Sequence, residues 1–296
     1  MKRPPLGGRF AFGDRAMSLA PRIRPRAYHL PIDVRPRDPG VPATRQCEFR
    51  FYEELNDFLA PALRRRSFVH VFDDTPAVKD RIESLGVPHT EVDLILVDGE
   101  PAPFTRRLHG GERVAVYPVF ECFDVSGLSA LRPHPLREPR FVLDVHLGRL
   151  ASYLRLLGFD CLYRNDYTDE ELLAISHRDG RTVLSRDIGL LKRAELTHGA
   201  FVHATEPRRQ LREVLDRFQL ESLVAPFTRC ARCNALVEHI AADAVGEAAP
   251  PGVMRKKTVF SRCTGCGQVY WHGSHPSRLR QRLAEAGVDI DLGAIA

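Results

Sequence analysis

Late in the chain, four cysteines stand as two C-x-x-C pairs, TRCARCN and SRCTGCGQVYW, with Cys230 and Cys233 in the first and Cys263 and Cys266 in the second. Thiolates at that spacing close a tetrahedral Zn2+ site. Four sulfur ligands leave no position open for a reacting water, so the expected role of this zinc is structural. A redox dithiol needs one such pair, not two. Any reaction must therefore come from other side chains. Asp144 closes the apolar run FVLD, Asp187 follows RTVLS, and Asp169 opens TDEELL. Three converging carboxylates would bind hard Mg2+ or Mn2+, which activates water and neutralises charge on a phosphodiester. The plainer reading of Asp169 and Asp187 is helix capping. Asp144 resists it, because an acid ending an apolar strand is costly to bury without a partner or a metal.

Convergence depends on the elements that carry these residues. FVLD, RTVLS and GAFVHAT are short apolar runs separated by helical patterns, which implies βαβ units and a parallel sheet covered by helices. Asp144 and Asp187 then emerge at the carboxyl edge, where sites of such folds form. In LGRLASYLRLLG, Leu147, Leu150, Ala151, Leu154 and Leu157 share one helical face and Gly158 supplies a stop. TDEELLAISHRDG is a second helix, with Thr168 and Glu171 spaced as a capping box. EPRRQLREVLDRFQL is a third, its arginines mostly opposite Leu211, Val214, Leu215 and Phe218.

At 296 residues the chain has room for two or three domains. Hydrophobic residues at 44% and charged residues at 27% place it among soluble globular proteins, and no apolar run is long enough for a membrane span. Seven cysteines, of which Cys47, Cys122 and Cys161 stand alone, argue for metal and against a disulfide framework. No compact apolar signal core follows the basic N-terminus, so a cytoplasmic location is expected, with a transit peptide the weaker alternative. The Pro- and Arg-rich residues 1–45 read as a disordered leader. Residues 46–123 read as a small α+β domain: strands CEFRFY and SFVHVF, a helix TPAVKDRIESLG, then strands EVDLILV and RVAVYPVF. Thr75 as cap, Pro76 at the first position and Gly86 as stop delimit the helix. A linker is expected over 124–139, followed by the α/β domain at 140–225, a zinc ribbon at 226–280 and a tail at 281–296. Within the ribbon, AADAVGEAAPPG reads as a flexible excursion.

The run FVLDVHLGRLASYLRLLGFDCLYRND, then TDEELL, then GRTVLSRD, resembles the PIN-like RNase family of the Mut-seven C-terminal domain type, over residues 140 to about 280. The resemblance implies a PIN-like α/β fold and divalent-metal-dependent RNA cleavage, with the family's acids falling on Asp144, Asp169 and Asp187. LILVDGE followed by HGGERVAVYPVF resembles the β-grasp, ubiquitin-like domains found in front of some members. Gly110-Gly111 lies inside the chain, so the free Gly-Gly tail chemistry of sulfur carriers does not transfer. An interaction or substrate-positioning role, with a protein partner, is the expectation instead.

A formal charge of +5 alone proves no nucleic-acid partner, but arginines and lysines concentrate late in the chain and would attract a polyanion. Arg149, Arg155 and Arg186 beside the acids, and Tyr270, Trp271, His275 and Arg278 after the second knuckle, are the candidate contacts to single-stranded RNA. Competing against them are a surface role for the arginines and packing of Tyr270 and Trp271 onto the ribbon. Two other functions fit parts of the pattern. A non-catalytic RNA-binding or ribosome-associated adaptor needs only the basic ribbon. A phosphoacceptor domain also places acids after strands, yet expects a Lys where GAFVHAT is followed by Glu206 and Pro207.

Overall fold

The structure is a computed structural model and describes residues 44–119, 139–254 and 259–271. The leader, most of the linker, the C-terminal tail, His275 and Arg278 lie outside the described residues.

In the first domain, β1 (Arg45–Phe51) alternates buried Cys47, Phe49 and Phe51 with outward Glu48 and Arg50, the period of a sheet with one face on a core. It pairs antiparallel with β2 (Phe68–Phe72) and parallel with β5 (Arg113–Pro118). With β3 (Val92–Val97) and the two-residue β4 (Glu100–Pro101), the sheet order is β2-β1-β5-β3-β4, a β-grasp arrangement over the single helix α1 (Val78–Ser84). That helix starts later than Thr75 and Pro76 suggested. Residues 75–77 are held extended by the loop at 106–108: Leu108 N–H donates to the Pro76 carbonyl (3.0 Å) and Val78 N–H to that of Arg106 (2.8 Å). Ala77 is the N-cap, and its N–H is taken by the Asp80 carboxylate at 3.2 Å. Gly86 ends the helix at φ +110, where a Cβ would meet the Phe58 carbonyl at 2.7 Å.

The second domain is built on an all-parallel sheet, β7-β6-β8-β9: β6 (Arg140–Leu143), β7 (Asp160–Leu162), β8 (Thr182–Ser185) and β9 (Gly199–Phe201). Strand β7 is too short to stand out as an apolar run. Phe141 and Leu143 face α2 (Gly148–Leu156) and α5 (Pro207–Arg217), while Val142 and Val183 face α3 (Asp169–Asp179) and the short α4 (Ile188–Leu191). The helices therefore cover both faces. Leu150, Ala151 and Leu154 are buried on α2 as their spacing requires. Gly158 stops it at φ +96, so close to the Ala225 carbonyl that no side chain fits. The Thr168–Glu171 capping box of α3 forms in both directions, at 3.2 and 2.9 Å.

An exposed edge strand is a hazard that folds cover. Strand β9 is covered by the β-grasp domain. The Glu91 carboxylate, fully buried, accepts from Phe201 N–H at 2.6 Å and pairs with Arg217 at 2.8 Å. His89 Nε2 donates to the Leu196 carbonyl at 2.9 Å, Lys192 Nζ to that of Glu83 at 2.6 Å, and Phe58 packs edge-on to Phe201.

Last comes an antiparallel ribbon, β10 (Val237–Ile240), β11 (Phe260–Cys263) and β12 (Val269–Trp271). The AADAVGEAAPPG stretch, read from the sequence as a flexible excursion, carries short helical turns. It folds into short turns and α6 (Pro251–Met254), with Val245 and Ala249 buried against Phe260 and Val269. The apolar Val and Ala side chains find a core there. Among the described residues, no helix is long and apolar enough to cross a membrane.

Candidate active site and metal centre

Asp144 follows β6 at the carboxyl edge. It is buried, and its Oδ2 accepts the Ser185 hydroxyl at 2.8 Å while Oδ1 takes the N–H of Val145. The turn after it is locked by Tyr163, whose hydroxyl donates to the Val145 carbonyl at 2.9 Å. Gly148 permits this, since a Cβ there would lie 2.5 Å from the Tyr163 oxygen. Asp187 stands two residues beyond β8, after Arg186. Its Oδ1 caps α4 through Gly189 N–H at 2.7 Å, so the capping reading is right for this acid, but its Oδ2 is not consumed by that cap. Ser185, fully buried, joins the two acids: its oxygen also accepts Asp187 N–H at 2.8 Å. Sequence reasoning missed it, although a Ser between an apolar strand and an acid is the residue type that can serve both.

Asp169 opens α3, which packs on β6 and β8 and so begins at the same edge. Its carboxyl is pushed above the ordinary carboxylate range, first by partial burial and then by the negative charges of Asp187, Glu170 and Asp144. Three elements thus bring Asp144, Asp169 and Asp187 within mutual electrostatic reach. Hard oxygen donors crowded by like charge, beside the positive N-terminal ends of α2 and α3, are what a divalent cation and a phosphate require. Arg149 is exposed in the first turn of α2, near this edge.

The four thiols lie elsewhere. Cys230 and Cys266 sulfurs are 3.7 Å apart, those of Cys233 and Cys263 3.3 Å, and all four lie within 4.8 Å of one another. Sulfurs bound at about 2.3 Å to one tetrahedral ion sit about 3.8 Å apart, and a disulfide would need about 2 Å, so the spacing suits one ion. Among the described residues this is the one group of three or more Cys, His, Asp or Glu whose ligand atoms already lie that close together; Asp144, Asp169 and Asp187 are within electrostatic reach of one another but are not drawn in as tightly. Charge argues the same way. Burial raises the Cys230 thiol, but hydrogen bonds from Tyr270 and from the N–H groups of Cys233 and Arg232 outweigh it and bring the thiol to about 6. Cys233 is pushed up to about 12 by burial and by its bonds to the neighbouring sulfurs. Cys263 accepts the N–H groups of Gly265 and Cys266 at 3.3 and 3.4 Å, as a zinc knuckle sulfur does.

The first knuckle docks on the amino edge of the parallel sheet, opposite the acids. Arg155 is buried, and its guanidinium donates to the carbonyls of Cys161 (2.8 Å), Ala231 (3.3 Å) and Arg232 (3.0 Å). It does not face RNA, because the apolar side of α2 carries it inward to satisfy knuckle carbonyls. Asp160, at the start of β7, holds Arg181 (2.8 Å), Arg229 (3.5 Å) and Asn234 (2.7 Å). Asn234 Oδ1 in turn accepts Cys161 N–H at 2.9 Å, from a left-handed backbone at φ 73. Arg186 is likewise spent internally: Nη1 donates to the carbonyls of Val202, His203 and Ala204 at 2.5–2.7 Å, clamping the loop after β9. Tyr270 packs its hydroxyl 3.0 Å from the Cys230 sulfur, and Trp271 is half-buried on the ribbon core. Packing therefore accounts for Tyr270, with Arg149 left as the exposed arginine of the set near the acids.

Comparison with known proteins finds two family matches. Residues 139–283 match the family described as the Mut7-C RNAse domain, and residues 44–124 match the family described as Mut7-C ubiquitin. No curated protein and no solved structure gives a match. Residues 139–283 are therefore a Mut7-C RNAse domain, with a Mut7-C ubiquitin-like domain at 44–124 in front of it.

Proposed function

We propose that the chain is a divalent-metal-dependent ribonuclease that cleaves RNA, single-stranded at the scissile bond, at the carboxyl edge of the parallel sheet. The observation that carries this is geometric: buried Ser185 ties Asp144 to Asp187 at the carboxyl edge, and α3 begins there with Asp169. Asp144, Asp169 and Asp187 would hold Mg2+ or Mn2+, which when bound supplies water activation and charge neutralisation at phosphorus. Ser185 fixes the rotamer of Asp144 and the backbone of Asp187, so both carboxylates are oriented before substrate arrives. Arg149 at the start of α2 contributes a phosphate contact, assisted by the helix N-terminus. The four cysteines hold Zn2+ as a structural ion, and the ribbon's basic residues supply affinity for the RNA backbone at a distance from the cut.

The test is incubation of purified protein with labelled single-stranded RNA in Mn2+ or in EDTA, beside Asp144→Asn and Asp187→Asn. Cleavage by wild type in Mn2+ alone is expected, with a loss of at least about a hundredfold in both variants. Equal cleavage by all three proteins sinks the assignment. RNA binding with no cleavage under any divalent ion would favour the adaptor reading.

A further inference from the structure

Among the sheet edges described, most are guarded. Strand β9 is covered by Glu91 and Phe58, β4 is two residues long and ends in Pro101, and β7 is three residues long. Strand β2 differs. It spans five residues, pairs among the described residues only with β1, and shows Val69 and Val71 at 49% and 52% exposure. The ladder fixes which of its backbone groups are free. Glu48 N–H donates to Glu112 and Tyr52 N–H to Val116 on the β5 side, so Cys47 and Phe49 turn toward β2, opposite His70 and Phe68. The N–H and C=O groups of Val69 and Val71 consequently point away from the sheet.

The flanks of this strand carry opposite charges. Arg64-Arg65-Arg66 precede it and Asp73-Asp74 follow it, all exposed, in the run RRRSFVHVFDD. Read antiparallel against itself, that run is complementary. We propose that β2 is a self-association edge, on which the β2 strands of two copies pair antiparallel about a two-fold axis at His70 and join two β-grasp sheets into one. In this register Val69 of each copy faces Val71 of the other, both with outward-pointing backbone groups, so ladder hydrogen bonds form. Arg66 then lies across from Asp74 on both sides of the axis. A one-residue slip would set outward-pointing groups against inward-pointing ones and lose the ladder. The contact is isologous, so it closes at two copies and does not propagate into a fibre.

Sedimentation equilibrium of the full chain over a wide concentration range tests this. The expected result is a reversible approach to twice the 33.4 kDa chain mass. Arg66→Glu and Asp74→Arg should each raise the dissociation constant about tenfold, the effect of reversing two modest ion pairs. The double reversal should restore association, which a folding defect would not do. Val71→Lys, at an exposed outward position, should give a folded monomer. A wild type that stays at monomer mass at every concentration overturns the proposal, as does a dimer indifferent to both single reversals or one that the double reversal fails to restore.

Discussion

Asp160 and Asp169 both border the same parallel sheet, and their surroundings drive them in opposite directions. At the amino edge, burial works against the charge of Asp160, but Arg181, Asn234 and Arg229 outweigh it and hold the carboxyl below the usual range. At the carboxyl edge, Asp169 meets partial burial and three further acids, and its carboxyl rises. Strand β8 is four residues long, so the two edges are separated by about 13 Å. An acid surrounded by cations is part of the scaffold, whereas an acid crowded by acids is where the proposed function puts its divalent cation. The thiol cluster belongs to the first kind of region. Through Arg155, Asp160 and Asn234 it is fastened to the amino edge, so an ion held there would brace the platform at a distance from the acids.

The largest effect that separates the regions should come from the thiols. Cys263→Ser removes a ligand from an ion whose binding is worth on the order of 10 kcal/mol to a small metal domain. Zinc content should fall from one per chain toward zero and the ribbon should lose its structure, which zinc analysis and hydrogen exchange over 226–271 will read. Next, Gly158→Ala places a Cβ against the Ala225 carbonyl at positive φ, and should cost about 3 kcal/mol in denaturant unfolding, with the fold of the acid edge preserved. Ser185→Ala should cost about 1–2 kcal/mol of stability, as for a buried hydroxyl with two partners. Its kcat should fall more than its KM rises, because orientation of the acids is what it supplies; Ser185→Thr should recover part of the rate.

The pH response distinguishes the two aspartates further. Because the folded carboxyl of Asp160 titrates below its unfolded value of about 3.9, its stabilising contribution is present above that value and is lost as pH falls through the folded one. Acid unfolding should therefore shift less steeply in Asp160→Asn, from a lower starting stability. Asp169 has the opposite sign. Its raised carboxyl costs stability where it is ionised, above its folded value, and that cost disappears as pH falls through it. Asp169→Asn should produce a small rise in melting temperature in EDTA, the smallest effect of the series, and no rise in Mn2+.

Much of this layout was legible in residue type and spacing. The runs CEFRFY and SFVHVF marked β1 and β2, the Leu and Ala positions of α2 marked its buried face, and Thr168 with Glu171 marked the start of α3 to the residue. The two C-x-x-C pairs announced one site. What escaped was decided by tertiary contact. Nothing local tells that Arg155 turns inward, since its guanidinium is satisfied by carbonyls of Ala231 and Arg232, far along the chain. Arg186 turns inward for the same reason, and of the two readings open for Tyr270 its contact with the Cys230 sulfur favours packing. The start of α1 depended on the distant loop at 106–108, and the docking of the knuckle at the edge opposite the acids required the paired geometry of Asp160 and Asn234.

The separation of a structural thiol site from a carboxylate site is tested most directly by titrating Mn2+ into the zinc-loaded protein, following free Mn2+ by electron paramagnetic resonance and assaying zinc in the same samples. Wild type should take up Mn2+ with its zinc retained, and Asp144→Asn and Asp169→Asn should lose that uptake while keeping full zinc. Mn2+ uptake unchanged in both variants, or uptake that tracks loss of zinc, would contradict the account.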